Sequence, residues 1–127
     1  IVTNDHDIIE KKIARKKDTI ILREVSENGD YAKTEYFVQE RNYEKNYTVV
    51  KILLHTGRTH QIRVHMSHIG YTLLGDELYA KEYKINDISK YINRQALHAN
   101  EVIFNHPITN KEIKIVSKIP QDMQELI

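Results

Sequence analysis

The sequence predicts an α+β fold: a mainly antiparallel sheet with short flanking helices. Three stretches with strand composition, 19–25, 34–39 and 47–55, are joined by short connections, which favours antiparallel neighbours. A helical pattern follows the third stretch at once, and two further strands are predicted near the C-terminal end. The 127 residues, 40% of them hydrophobic, are enough for one domain or part of one.

Residues 1–18 are polar and charged, and two interpretations of them stay open. One is a solvated loop or extended arm. The other is a basic contact to nucleic-acid phosphates through the cationic side chains of this segment, which are Lys11, Lys12, Arg15, Lys16 and Lys17.

The three predicted strands are bounded by turn signals. Asn28 and Gly29 mark a turn after 19–25, and Tyr36 and Val38 share one face of 34–39. Residues 47–55 are apolar on both faces. Such a strand is usually central and covered, so we expect it in the middle of the sheet.

The helix after the third strand carries Ile62, Met66 and Ile69 at i, i+4 and i+7. Thr59 is the expected N-cap and Gly70 the expected C′ residue. Arg58 would then lie at the strand-to-helix junction, with Arg63 in the first turns of the helix.

The sequence after the helix predicts shorter helices and strands. Residues 71–76 are expected to be irregular and to end in a turn, and isoleucine spacing predicts a short helix over 81–93. Two strands, 97–104 and 112–116, are joined by a turn at 106–111 that contains proline and asparagine. A final helical turn is predicted over 121–127.

The charge pattern points to an anion near the helix. No acidic residue occurs between Glu44 and Asp76, an interval that contains four cations and four histidines. A helix N-terminus beside unopposed positive charge suits an anionic group. The whole chain, with a formal charge of +1, is too balanced to indicate nucleic-acid binding by itself.

Several classes of site are disfavoured by composition. The chain has no cysteine, which excludes a disulfide framework and a thiolate metal site. No apolar run approaches the roughly 18 residues of a membrane span. His60, His65 and His68 invite a metal hypothesis, but no acidic residue lies near them in the sequence, and we expect no metal site.

Residues 56–65 resemble the late active-site motif of the RluA-type pseudouridine synthases, which modify RNA. Three further segments are similar to family motifs and occur in the family's order. They are the A-x-T-x-Y strand at 32–36, the G-D-x-x-Y segment at 75–79, and the L-H-A and H-P pair at 97–99 and 106–107.

The resemblance implies that the parent protein isomerises uridine to pseudouridine in ribosomal or transfer RNA, in the cytoplasm and without a cofactor. It also implies that Arg63 is the catalytic residue that pairs with the aspartate nucleophile. A guanidinium keeps its charge and can pair two donors with two carboxylate oxygens. The residues expected to bind substrate are Thr56, Gly57, Arg58, His60, Gln61 and Ile62.

The sequence departs from the family at one decisive point. No aspartate lies in an R-L-D-x-x-T-S-G motif, so the nucleophile is absent. We therefore expect residues 1–127 to be the C-terminal portion of the catalytic domain, to be inactive alone, and to have left Arg63 without its partner. A truncated sheet also presents an unpaired edge at which copies can associate.

Some roles stay open. Ile62 either lines the uracil pocket or packs in the helix interface. Arg58 and His60 contact the RNA backbone or hold the turn. Asp76 and Tyr79 are expected to be structural. The alternatives to a synthase are a non-catalytic RNA-binding module, and a structural fragment that binds nothing alone.

Overall fold

The computed structural model describes residues 1–84 and 91–127. All strand pairs in this part of the chain are antiparallel, and three short helices accompany them, which confirms the predicted α+β class. In chain order the elements are β1 (His6–Glu10), β2 (Ile13–Arg15), β3 (Arg23–Val25), β4 (Lys33–Asn42), β5 (Tyr47–Leu54), α1 (Gln61–His68), α2 (Glu77–Glu82), β6 (Glu101–Asn105), β7 (Glu112–Val116) and α3 (Gln121–Gln124).

The largest sheet has the strand order β1-β4-β5. Its central strand, β4, contains a bulge at Gln39, because Val38 pairs with Val50 while Glu40 already pairs with Val49. The predicted strands 34–39 and 47–55 are confirmed, but the expected position of the second is wrong. In the described part of the chain β5 lies at an edge, and its Leu53 and Leu54 are about half exposed.

The N-terminal segment is not the loop or arm that its charge indicated. Residues 6–10 form β1 and residues 13–15 form β2, because each strand has an apolar side chain that is buried, Ile9 and Ile13. In β1 the exposed Ile8 stands beside the buried Ile9, and in β2 Ile13 is the single large apolar residue, so neither segment shows a clear strand pattern in the sequence.

The predicted strand 19–25 is shorter than expected and lies elsewhere. Only β3 is extended, and it pairs with β2 rather than with the large sheet. Upstream of β3 the chain turns at Asp18, which has a positive φ of 67°. The Thr19 hydroxyl then accepts hydrogen bonds from the amides of Ile21 and Leu22, which occupies donors that a strand would need.

Helix α1 connects two apolar clusters. Met66 packs with Val2, Ile9 and Tyr36, in a cluster that also includes one face of the large sheet. Val64, two residues earlier, packs on the other side with a second cluster, formed by Ile13, Ala32 and Tyr79. The helix is therefore fixed from both sides, and its first turn is held in one orientation relative to β4.

The ends of α1 were predicted only in part. Gly70 is the C′ residue, with φ of 96°, and the amides of Gly70 and Tyr71 donate to the carbonyls of Ser67 and Met66 in a Schellman arrangement. The N-cap is His60 instead of Thr59. His60 adopts a left-handed conformation and makes no side-chain cap bond, because its ring is directed towards Tyr79.

The C-terminal elements mostly follow the prediction. Residues 71–76 are irregular and end in a turn, and β6 and β7 pair across the predicted turn, with β6 over 101–105 rather than 97–104. Helix α3 confirms the final helical turn. The helix predicted over 81–93 falls partly on residues 85–90, which lie outside the described residues, and α2, at 77–82, overlaps only its first two positions.

Candidate active site

Gln61 organises the loop between β5 and α1. Its side-chain oxygen accepts hydrogen bonds from the Thr56 hydroxyl at 2.7 Å and the Arg58 amide at 3.0 Å. Its side-chain nitrogen donates to the Lys33 carbonyl at 3.0 Å and to the Thr34 hydroxyl at 2.9 Å. Gln61 is buried and both of its polar atoms are occupied, so its role here is to fix the loop against β4.

The same network continues to His65, which is fully buried. Its Nε2 lies 2.8 Å from the Lys11 carbonyl, and its Nδ1 lies 2.7 Å from the Thr34 hydroxyl. A carbonyl can only accept, so Nε2 carries the proton and Nδ1 accepts from Thr34. Burial lowers the pKa of His65, which favours this neutral form.

Arg63 forms a bidentate ion pair with Asp76. Nε of Arg63 lies 2.8 Å from Oδ2 of Asp76, and Nη2 lies 2.9 Å from Oδ1. The exposed fraction is 13% for the Arg63 side chain and 0% for that of Asp76. The hydrogen bonds to Asp76 raise the pKa of Arg63, against the opposing effect of burial. The expectation that Arg63 lacks a partner in this chain is therefore wrong.

Tyr79 completes the surroundings of Arg63. The guanidinium carbon lies 5.0 Å from the centroid of the Tyr79 ring, within the range of a cation–π interaction. The Tyr79 hydroxyl accepts from the Arg23 amide at 3.1 Å and lies 2.7 Å from Nδ1 of His60. Burial, and then the Arg63 and Arg23 charges, lower the pKa of His60.

The structure brings some predicted site residues together and separates others. Arg63 and His60 both border the Tyr79 ring, whereas Arg58 is exposed and donates from Nε to the Tyr31 carbonyl at 2.8 Å. Thr56 holds the loop with its hydroxyl, which also accepts from the Lys33 amide at 2.9 Å. Gly57 lies in the open loop, with no neighbouring atom where a Cβ would be. Ile62 packs against the Met66 cluster.

Three residues without a predicted site role lie in direct contact with the predicted residues; they are Asp76, Tyr79 and Thr34. All three belong to motifs that were visible in the sequence, A-x-T-x-Y and G-D-x-x-Y. Their spacing along the chain carries no information about the contact, because the pairing of Arg63 with Asp76 depends on how the chain returns after α1.

The unopposed positive charge of residues 45–75 is partly compensated in three dimensions. Glu35, on β4, accepts hydrogen bonds from His55 at 2.9 Å and from His6 at 2.6 Å. These two bonds lower the pKa of Glu35. Because Asp76 compensates Arg63 as well, the basic surface is smaller than the sequence interval indicated.

Within residues 1–84 and 91–127, no group of three acidic or histidine side chains is arranged to hold a metal ion, and no helix is long and apolar enough to cross a membrane.

Comparison with known proteins adds the family context. The family model described as RNA pseudouridylate synthase matches residues 1–68. Two curated relatives from Bacillus subtilis, named RNA pseudouridine synthases YjbO and YhcT, are 41% and 42% identical and cover 94% and 93% of this chain. Ribosomal large subunit pseudouridine synthase D of Vibrio cholerae is 37% identical over 127 residues and also covers 94% of the chain.

A solved structure, human RNA pseudouridylate synthase domain containing 1, has the same fold. Its TM-score is 0.68 at 24% sequence identity, and the match covers 93% of this chain and 50% of that one. The chain spans only 39% of the length of the YjbO and Vibrio cholerae relatives and 37% of YhcT. The family match includes β1, β4, β5 and the whole of α1 with Arg63, and the chain accordingly belongs to the RNA pseudouridylate synthase family.

Proposed function

We propose that the protein containing this chain isomerises uridine to pseudouridine in RNA, and that residues 1–127 supply the arginine side of its active site. The observation that carries the proposal is the fixed guanidinium of Arg63, which is held by Asp76 and Tyr79 at the start of α1. The reaction breaks the N1–C1′ bond of uridine and joins C5 to C1′. It requires an ionised carboxylate nucleophile in a pocket that excludes water.

Arg63 is suited to keep that nucleophile ionised. Burial raises the pKa of a carboxyl group, and a fixed cation within a few ångströms lowers it again. In this proposal the carboxylate belongs to a part of the catalytic domain outside residues 1–127, and the chain alone does not isomerise uridine.

An apolar face on the β6–β7 hairpin supports the view that this chain is part of a larger domain. Val102 pairs with Ile115 and Phe104 with Ile113, so the four side chains lie on one face. Three of them, Val102, Phe104 and Ile115, are between 42% and 51% exposed. An isolated two-stranded hairpin is marginally stable, so a covering segment is expected.

The substrate contacts follow from exposure. Arg58 is exposed beside the loop and suits an RNA phosphate, while His60 borders the arginine site and suits the target nucleotide. Ile62 packs against the Met66 cluster and is only half-buried, so we propose that its free side faces the uracil. Thr56, Gly57 and Gln61 shape the loop that presents them. Ribosomal RNA is the favoured substrate class because the Vibrio cholerae relative is named for the large ribosomal subunit. A cytoplasmic location fits that substrate.

The test is a pseudouridine assay on the full-length protein, on its Arg63→Lys variant and on an Arg41→Lys control, with bulk ribosomal and transfer RNA. Arg41 is also paired with an aspartate, Asp5, but takes no part in the proposed site. We expect an active wild type, an unaffected control and a loss of about 100-fold or more for Arg63→Lys, since lysine cannot reproduce the two parallel bonds.

Three other results would change the proposal. An Arg63→Lys variant with wild-type activity would support the assignment as a synthase but show that Arg63 takes no part in the active site. An inactive full-length protein that binds RNA with strong salt dependence would favour a non-catalytic RNA-binding module. Pseudouridine formation by the isolated 127-residue chain would refute the proposal that the nucleophile lies outside these residues.

A further inference from the structure

The bonding of Arg63 is asymmetric. Asp76 occupies Nε and Nη2, and the Tyr79 ring covers one face of the guanidinium. Nη1 has no hydrogen-bond partner among residues 1–84 and 91–127. No side-chain nitrogen or oxygen in this part of the chain is both buried and unpartnered, so Nη1 must reach the surface.

Asp76 is itself fixed by more than Arg63. It is the N-cap of α2, where its Oδ1 accepts from the Tyr79 amide at 3.3 Å. The preceding Gly75 has a positive φ of 74°, and a Cβ at that position would overlap the carbonyl oxygen of Arg94. The backbone that carries Asp76 is therefore pressed against a neighbouring segment, and its carboxylate has little freedom to follow a movement of Arg63.

We propose that Asp76 is a positioning residue for the reaction, which fixes the Arg63 guanidinium so that only its Nη1 side is offered to an anionic partner. The inference rests on the proposed function. A free arginine could pair with the RNA backbone in several geometries, whereas one held along its Nε–Nη2 edge and over an aromatic ring retains a single direction of approach. Such preorganisation favours the carboxylate nucleophile over phosphates that arrive from other directions.

The placement of Tyr79 agrees with this role. One residue contributes its amide to Asp76, its ring to Arg63 and its hydroxyl to His60. Asp76, Arg63 and His60 are thus connected through one buried side chain. A shift of Asp76 would be transmitted to both Arg63 and His60.

The experiment uses the full-length protein and compares Asp76→Asn, Asp76→Ser, Arg63→Lys and the double variant Asp76→Asn with Arg63→Lys. Asparagine keeps the shape but places an amide donor against Arg63. Serine keeps the cap for α2 and removes the carboxylate. Asp5→Asn, whose arginine partner keeps two carbonyl contacts, is the matched control.

We expect both Asp76 variants to lower kcat by about 10- to 100-fold, with KM for RNA changed less than about twofold, because the misplaced group acts on the reacting atoms and not on RNA binding. The double variant should be no slower than Arg63→Lys alone, because Asp76 acts through Arg63. The acid limb of the kcat–pH profile should also move, because both the position of Arg63 and the charge beside the nucleophile change, whereas a purely structural role for Asp76 would leave it in place.

The remaining outcomes overturn the inference. These are a wild-type kcat in a folded Asp76 variant, additive losses in the double variant, and an Asp76→Ser protein that does not fold, which would make Asp76 purely structural. A wild-type enzyme that is inactive on all RNA tested would instead refute the proposed function, on which this inference depends.

Discussion

At the scale of single residues, the geometry of the site is determined by the hydrogen-bond partner of each polar group. Asp76 is fully removed from water and Arg63 largely so, and a mostly buried pair of this kind contributes geometry more dependably than stability. Removing one partner would leave the other charge buried without compensation. The pair therefore accounts for a fixed arginine, and not for a large share of the folding free energy.

The buried His65 predicts a dependence of stability on pH. Burial lowers its pKa in the folded state, so the unfolded chain binds the proton more readily. The stability contributed by neutral His65 is fully present above the unfolded-state pKa of about 6.5. As the pH falls below that pKa, the free energy of unfolding decreases by up to about 1.4 kcal/mol per pH unit.

Urea unfolding at neutral pH and at pH values below 6 measures this loss, with His65→Gln as the variant that has no titrating group. We expect a smaller loss in the variant. His60, whose pKa is also lowered, should contribute in the same direction in both proteins. Equal losses in the two proteins would show that His65 protonation does not limit stability.

We expect Arg58 to contribute to RNA affinity equally for all RNA sequences. It is exposed, and only its Nε is used within the described chain, for the Tyr31 carbonyl. Arg58→Gln should weaken RNA binding regardless of sequence, and reduce the slope of log affinity against log salt by about 1. Lys111→Gln, at the turn between β6 and β7, is the control. An unchanged slope for Arg58→Gln would mean that Arg58 only holds the loop.

At the scale of elements, turns decide where the site residues are placed. Helix α1 ends at Gly70, and the chain then returns through 71–76 to bring Asp76 back to Arg63. The left-handed conformations at Gly70 and Gly75 make this return possible. The local sequence is enough to identify Gly70 as a helix end. The requirement for glycine at position 75 also depends on the Arg94 carbonyl beside it, which the local sequence does not reveal.

A series of Gly→Ala substitutions tests these turns. Gly75→Ala should lower the free energy of unfolding by about 3 kcal/mol or more, because backbone strain and overlap with Arg94 add. Gly70→Ala meets no neighbouring atom and should lose about 1 kcal/mol, from strain alone. Gly57→Ala should change stability by less than about 0.5 kcal/mol. Denaturant unfolding gives all three values, and a mild Gly75→Ala effect would contradict the close approach.

At the scale of the whole molecule, the apolar face of the β6–β7 hairpin predicts self-association of the isolated chain. Replacing the cross-strand pair Val102 and Ile115 by Lys and Glu should favour the monomer, since opposite charges keep the strand pairing. Sedimentation velocity over a concentration series measures the change. Ile103→Thr, on the other face, is the control, and an equal response to it would indicate a different contact.

The elements with strong local patterns could be predicted from the sequence, and those with weak patterns could not. β4, β5, α1 and the hairpin turn have clear periodicity or turn residues. β1 and β2 were missed because a single buried isoleucine among charges defines each, and the strand 19–25 was overextended because Thr19 diverts the amides that follow it.

The sequence by itself determined the family motifs, the class of fold and the position of Arg63 near the start of a helix, because these depend on residues that are neighbours along the chain. The tertiary structure alone decided the pairing of Arg63 with Asp76, the place of Tyr79 between Arg63 and His60, and the edge position of β5 among the described residues. Those features depend on segments that are brought together by burial in two apolar clusters, one with Ile9 and the other with Val64 and Tyr79, and spacing along the chain does not encode this approach.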